Sequence, residues 1–300
     1  MKNFAKKNMK FKNSKMENFG QFPLDSTKVR MKIGTKNHSM QFGISKNLFK
    51  KLKVISEKSI KLLLSKNNLV KDTSKNVLMI EFSAIQYQSL FEQMPNSNIN
   101  FFVYNRRKPA FWNLQGYNLI KQSECIVETE NSLSDASFKK IVSDGRLQME
   151  TKILNLFSEE SFFKSFFSIG GVSFWSTFKS FFQKFLRKRA FEFIVEIELT
   201  KKLMEKYHFS SILILSEAGS NEKIALQLAH QKQIPVCLLQ HGAIYDTTEG
   251  YDMSVAQGVI PLKSDHYLCW GKITEEYSKS LGIKSEKIHS WNCFGTGSQK

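Results

Sequence analysis

Four cysteines in 300 residues, Cys125, Cys237, Cys269 and Cys293, are too few and too scattered for a stapled fold. None forms a C-x-x-C pair, and no histidine stands at metal-ligand spacing from any of them. The pattern argues against a disulfide framework and structural zinc, and for a reducing, cytoplasmic compartment. No apolar run approaches the ~18–20 residues of a membrane span. The N-terminus shows no apolar core ahead of a small-residue cleavage site, so the signal-peptide pattern is missing as well. The usual catalytic signatures are absent: no G-x-S-x-G elbow, no G-x-x-x-x-G-K-[ST] loop and no H-E-x-x-H pair. Gly295 and Gly297 alone are too incomplete for a dinucleotide fingerprint.

Acids are also scarce, with 27 Asp and Glu against 44 Lys and Arg, a net charge of +17. The excess is local. Residues 1–53 hold 14 Lys and Arg against only Glu17 and Asp25, which accounts for +12 and leaves +5 for the remainder. Such a segment is either a solvated Lys/Asn-rich arm or a contact for a polyanion. No RNP, KH or helix-turn-helix pattern accompanies it, which speaks against nucleic acid. What the chain does hold is apolar mass: 41% hydrophobic residues and 26 phenylalanines, enough for one large domain or two small ones.

Residues 1–70 read as a basic low-complexity arm, disordered over 1–40, with a possible helix over 45–66. Residues 71–297 read as one Rossmann-like α/β domain: a parallel sheet with helices on both faces, interrupted by a helical insertion over 134–207. Short apolar runs mark strands at Val77–Phe82, Phe101–Tyr104, Cys125–Glu128, Ser211–Leu215, Pro235–Gln240, His266–Trp270 and Ile288–Phe294. Helical spacing predicts helices at Ile85–Met94, Trp112–Gln122, Asn221–Gln231 and Ile273–Leu281. The stretch from His241 to about Gln257 reads as a loop.

Within the insertion, Phe174, Trp175, Phe178, Phe181, Phe182, Phe185 and Leu186 share one helical face. From Ser161 to Ala190 there are six basic residues and no acid. Two readings fit: an interfacial helix on an anionic membrane, or a helix burying its aromatic face in its own domain.

Ligands of open α/β sheets bind beyond the carboxyl ends of the strands, and three loops qualify. Arg106 and Arg107 follow the second strand, and their forked guanidinium groups suit phosphate or carboxylate oxygens. Glu217, Gly219, Ser220 and Asn221 lead from a strand into a helix. There Gly219 allows close approach, and the helix N-terminus suits an anion or sugar hydroxyl, unless Ser220 or Asn221 is a plain N-cap. Glu217 fits a catalytic acid or a sugar contact. The sharpest loop is Gln240-His241-Gly242, where Gly242 permits a turn that lifts His241 to the sheet edge as a general base or phosphate donor. Tyr245, Asp246, Glu249, Tyr251 and Asp252 follow it.

Ile234-Pro235-Val236-Cys237-Leu238-Leu239-Gln240-His241-Gly242 resembles the strand-QHG segment of GT-B glycosyltransferases of surface and capsule polysaccharide synthesis, with the related glycerophosphotransferases. Ser264–Gly271 resembles the strand-WG segment that follows it there, and Leu281-Gly282-Ile283, Lys287-Ile288 and Phe294–Ser298 resemble the run closing their N-terminal domain. The resemblance implies an acceptor-side half of a GT-B fold. Its missing C-terminal domain would hold the nucleotide sugar, and the chain would be a fragment, inactive alone. His241 and Glu217 would be catalytic. Gln240, Gly242, Tyr245, Asp246, Glu249, Gly219, Ser220, Asn221, Arg106 and Arg107 would bind substrate. A nucleotide sugar is the expected cosubstrate, with no covalently bound cofactor and no metal. A glycan or lipid-linked acceptor is the expected partner, together with an anionic membrane surface reached through 161–190 and the arm. The alternatives are a sugar-nucleotide 2-epimerase, whose pattern differs at the His-Gly position, a glycerophosphotransferase, and a non-catalytic basic binding module.

Overall fold

The computed structural model describes residues 28–34, 39–45, 48, 51–52, 54–55, 75–111, 113–242 and 248–291. The chain divides into two compact units, Met1–Ile55 and Ser56–Lys300.

The first unit contains an antiparallel pair, β1 (Lys28–Gly34) and β2 (Ser39–Ser45). Its register sets Val29 opposite Ile44, Met31 opposite Phe42 and Ile33 opposite Met40. Within the stretch 1–40, expected to be disordered, residues 28–34 and 39–40 are strand, and the rest lies outside the described residues. Val29, Met31 and Ile33 alternate with Arg30 and Lys32, which is the period of a strand, masked in the sequence by the Lys-rich surroundings. Of the expected 45–66 helix, residues 48, 51–52 and 54–55 are helical, and the rest lies outside the described residues.

The second unit is built on seven parallel strands: β3 (Asn76–Ile80), β4 (Asn100–Tyr104), β5 (Ile126–Glu128), β8 (Ser211–Ile214), β9 (Val236–Leu239), β10 (His266–Trp270) and β11 (Ile288–Trp291). Their order is β11-β10-β9-β8-β3-β4-β5, with every neighbouring pair parallel. The chain starts in mid-sheet at β3, runs outward to β5, then returns to lay β8 on the other side of β3. This is a Rossmann-like α/β sheet whose direction of winding reverses between β3 and β8.

Alternation along the strands sorts the core into two layers. Leu78, Ile80, Phe102, Tyr104, Ile212, Ile214, Val236 and Leu238 face one cluster, and Met79, Val103, Leu213 and Leu239 face the other. Helices α1 (Gln88–Gln93) and α2 (Leu114–Gln122) cover the second face through Phe91, Leu119 and Ile120. The first face meets α3 (Glu130–Leu133), α4 (Ala136–Ser158), α6 (Trp175–Lys206) and α7 (Ser220–Gln231) through residues such as Leu133, Phe138, Leu203 and Ala225.

Some boundaries shift for local reasons. Helix α1 starts at Gln88 rather than Ile85, because Tyr87 at ψ 39° interrupts the helical backbone. Helix α2 starts at Leu114 because Asn113 is extended and accepts the Gly116 N–H at 2.9 Å, an N-cap. The expected loop from His241 to Gln257 contains a helix, α8 (Thr248–Gln257). Its ten residues, TEGYDMSVAQ, carry too few apolar side chains for a helical period to show. Helix α9 (Gly271–Ser280) follows β10.

The insertion is a helical arm. Helix α4 packs along α6, joined by α5 (Glu160–Phe166) and a two-stranded turn, β6 (Ser168–Ile169) and β7 (Val172–Ser173). Gly170 and Gly171 have φ of 58° and 80°, the left-handed backbone that a two-residue hairpin turn requires. Helix α6 has 32 residues, about 48 Å at 1.5 Å per residue. Its C-terminal half joins the sheet core through Leu199, Leu203 and Met204. Its N-terminal half makes a separate aromatic core with Ile153, Phe157 and Phe163, in which Trp175 is fully buried and stacks on Phe163 at 4.5 Å. Among the described residues, no helix is long and apolar enough to cross a membrane.

Candidate functional site

In open α/β sheets the ligand crevice lies where the winding reverses, here between the carboxyl ends of β3 and β8. Ion pairs line it. Glu81, the residue after β3, sits at φ 63°, a conformation rarely adopted by side chains other than glycine and asparagine. Its Oε1 accepts three hydrogen bonds: from the Arg106 N–H at 2.8 Å, the Arg107 N–H at 2.9 Å and Asn221 Nδ2 at 2.7 Å. One carboxylate thus ties together the ends of β3 and β4 and the start of α7.

The two arginines point to different partners. Arg106 is largely buried and donates through Nε to Glu196 at 2.6 Å and through Nη1 to Glu130 at 2.5 Å. Burial alone would lower its guanidinium, but Tyr104, Glu196 and Glu130 more than reverse that, so it stays charged. Arg107 is half exposed and binds Glu222 through Nη2, with Glu81 Oε2 3.5 Å from its Nε. Glu222 is 1% exposed, and burial pushes its carboxyl up against the opposing pull of Arg107. Burial raises Glu196 likewise, with Arg106 opposing. Glu222 Oε2, Glu196 Oε1 and the Tyr104 hydroxyl are buried without a hydrogen-bond partner among the described residues. The crevice therefore holds two carboxyl groups whose pKa burial raises, each beside an arginine.

The loop after β8 is locked rather than open. Both oxygens of Glu217 are occupied by backbone amides, from Leu262 at 3.2 Å, Lys263 at 3.1 Å and Ser264 at 2.7 Å. Its own N–H donates to the Gly258 carbonyl at 2.7 Å. A Cβ on Gly258 would lie 2.2 Å from the Ala218 nitrogen, so only glycine lets α8 end against this loop. The geometry gives Glu217 the task of anchoring the segment before β10. Gly219 is the N-cap of α7, and no side chain caps it. Neither Ser220 nor Asn221 is the cap; the Asn221 amide is spent on Glu81.

The loop after β9 carries the expected histidine. Gln240 is 2% exposed and acts as a clip: Oε1 accepts the Trp270 N–H at 2.6 Å, and Nε2 donates to the Gly242 carbonyl at 2.9 Å. Gly242 does not adopt a positive φ, and a Cβ there would meet nothing within 4 Å. The Gln240 clip holds the described part of this loop. His241 is half-buried, and its Nδ1 is buried without a partner among the described residues. Burial pulls its pKa below the usual histidine range, and the Leu215 backbone opposes this. Tyr245 and Asp246 lie outside the described residues, as do the side chains of Glu249 and Tyr251.

No family model and no curated protein matches the chain. Solved structures do, at low identity, two of them epimerases. One is the UDP-GlcNAc 2-epimerase from Neisseria meningitidis bound to UDP-GlcNAc, 12% identical, covering 72% of this chain and 46% of that one, with a TM-score of 0.39. The other is the UDP-N-acetylglucosamine 2-epimerase from Rickettsia bellii, 11% identical over 72% of this chain and 44% of that one, with a TM-score of 0.35. The chain spans less than half the length of either.

The structure brings Arg106, Arg107 and Asn221 together and sets the loops of Glu217 and His241 on the neighbouring strands β8 and β9. Sequence reasoning missed Glu81, Glu196 and Glu222. A signal for the first was present, an acid between Ile80 and Phe82 at a strand end. For Glu196 the signal was an acid inside the apolar stretch Phe193–Leu199.

Proposed function

We propose that this chain is the acceptor-side half of a glycosyltransferase that transfers a sugar from a nucleotide sugar in the synthesis of a surface glycan. One observation carries the reading. At the carboxyl end of β9, in the segment that resembles the QHG loop, half-buried His241 has an Nδ1 without a hydrogen-bond partner among the described residues, and burial lowers its pKa. An imidazole whose pKa is lowered is equipped to accept a proton near neutral pH. In transfer, the acceptor hydroxyl oxygen forms a bond to the anomeric carbon, and the bond from that carbon to the nucleotide phosphate breaks. The hydroxyl proton passes to His241, and the phosphate leaves with the electron pair. Half-exposed Arg107, paired with Glu222, is one cation at the end of β4 that can meet an anionic group. Glu217 and Gln240 act as positioning residues, since their polar atoms are engaged by backbone. No metal is needed for this scheme.

The test is acceptor-dependent release of nucleotide from a panel of nucleotide sugars, measured on the product of the whole gene. The expected result is release only with a glycan or lipid-linked acceptor, reduced about 10²–10⁴-fold by His241→Ala. Isomerisation of a UDP-sugar with no acceptor present would replace this reading by that of a 2-epimerase. Full transfer activity in the His241→Ala variant would remove His241 from the chemistry.

A further inference from the structure

We propose that the end of the helical arm docks on an anionic lipid bilayer. The two sequence readings of the aromatic helix divide between its sides. Trp175, Phe178, Phe182 and Leu186 pack into the arm's own core. Phe174, Phe181 and Phe185 do not; they are exposed, together with Phe162 and Phe166 on α5. At the turn, Ile169 and Val172 are a cross-strand pair, 77% and 73% exposed. A Cβ on Gly170 or Gly171 would meet nothing within 4 Å, so the turn projects into open space.

The exposed rings are continuous. Phe162 stacks on Phe166 at 5.8 Å, Phe166 meets Phe167 at 5.1 Å, and Phe167 meets Phe174 at 5.8 Å. Phe181 stacks on Phe185 at 6.3 Å, and Phe178 joins them to Phe174. Contiguous exposed apolar surface of this kind marks a docking site, whereas single exposed residues do not.

Charge decides what docks. No acid occurs from Ser161 to Phe191. Lys179, Arg187 and Arg189 are neutralised by Glu160, Glu150 and Glu192. Lys184 and Lys188 are exposed and make no ion pair among the described residues, and Lys164 is exposed beside Phe163. A projecting tip of Phe, Ile and Val on helices that also carry the exposed Lys164, Lys184 and Lys188 offers apolar bulk to acyl chains and cations to phosphate headgroups. This inference does not depend on the proposed transferase reaction.

The experiment is co-sedimentation of the full chain with phosphatidylcholine vesicles, with and without about 30 mol% phosphatidylglycerol. A second readout is the fluorescence of an Ile169→Trp variant against vesicles carrying acyl-chain bromines. Binding to the anionic vesicles, lost at high salt, is expected, with the Ile169→Trp fluorescence quenched. Phe166→Ser with Val172→Ser should weaken partitioning about tenfold or more, as should Lys184→Glu with Lys188→Glu. Ile273→Ser, an exposed apolar residue on α9, should change nothing. Vesicle binding unaffected by the tip substitutions, or without quenching, would assign it to the Lys-rich N-terminal segment and overturn the proposal. So would absence of binding to anionic vesicles.

Discussion

The carboxyl group of Glu222 fills the space that a side chain on Gly219 would need. A Cβ on Gly219 would stand 2.2 Å from Glu222 Oε2 and 2.6 Å from its Cδ. Glu222 is buried and held by Arg107, so it cannot swing away without leaving its partner.

Gly219→Ala is therefore expected to destabilise the fold by about 1–3 kcal/mol through overpacking. The cost should nearly vanish in a Glu222→Ala background, because the clash is with that one side chain. A double-mutant cycle by urea denaturation measures this; strictly additive effects would place the strain elsewhere.

The raised carboxyl groups set a pH dependence. A group whose folded pKa lies above its unfolded value stabilises fully below the unfolded pKa and loses that contribution as pH rises through the folded one. Glu196 and Glu222 both shift upward. Their contribution should thus be complete below the ordinary glutamate pKa of about 4.3 and fade above it. Glu222→Gln should flatten the decline in Tm on the alkaline side. Arg106→Ala, which leaves Glu196 without its cation, should cost about 3–5 kcal/mol where that carboxylate is ionised, and less in acid.

His241 should titrate below the usual histidine value of about 6.5. Its folded pKa is depressed, so the neutral imidazole favours the fold above that value, and the benefit is lost as pH falls through the folded pKa. Imidazole proton shifts followed by NMR in wild type and His241→Ala give the midpoint directly. A midpoint above the reference would contradict a buried, unpaired ring nitrogen.

Glu217→Gln separates anchoring from acid catalysis. The anchoring role predicts a loss of about 2–3 kcal/mol, since an amide cannot accept at both ends from Leu262, Lys263 and Ser264. It also predicts that hydrogen exchange accelerates at those three amides, while turnover per folded molecule stays within a few-fold of wild type. Unchanged stability with abolished turnover would restore Glu217 to the chemistry.

Much of the scaffold was legible because burial on both faces writes a strand as an unbroken apolar run, as in Val77–Ile80, Ser211–Ile214 and Val236–Leu239. A different local signal, the adjacent Gly170 and Gly171 inside a helical stretch, stands where the structure places the hairpin turn of the arm. The ion pairs of the crevice were not legible. Arg106 and Glu196 are 90 residues apart, and Arg107 and Glu222 are 115 apart. Their meeting depends on where β8 returns to the sheet, which no local pattern encodes. The anchoring contacts of Glu217 were hidden for a similar reason, because its partners are amides of a segment 45–47 residues downstream.

Helix α6 contains neither proline nor glycine from Trp175 to Lys206. One end lies in the arm's aromatic core and the other in the sheet, with Glu196 between them, clamped to Arg106. Mechanically this is a stiff lever with its fulcrum at an ion pair. A load applied at the turn has no hinge within the helix to absorb it, and is delivered to the salt bridge at the mouth of the crevice.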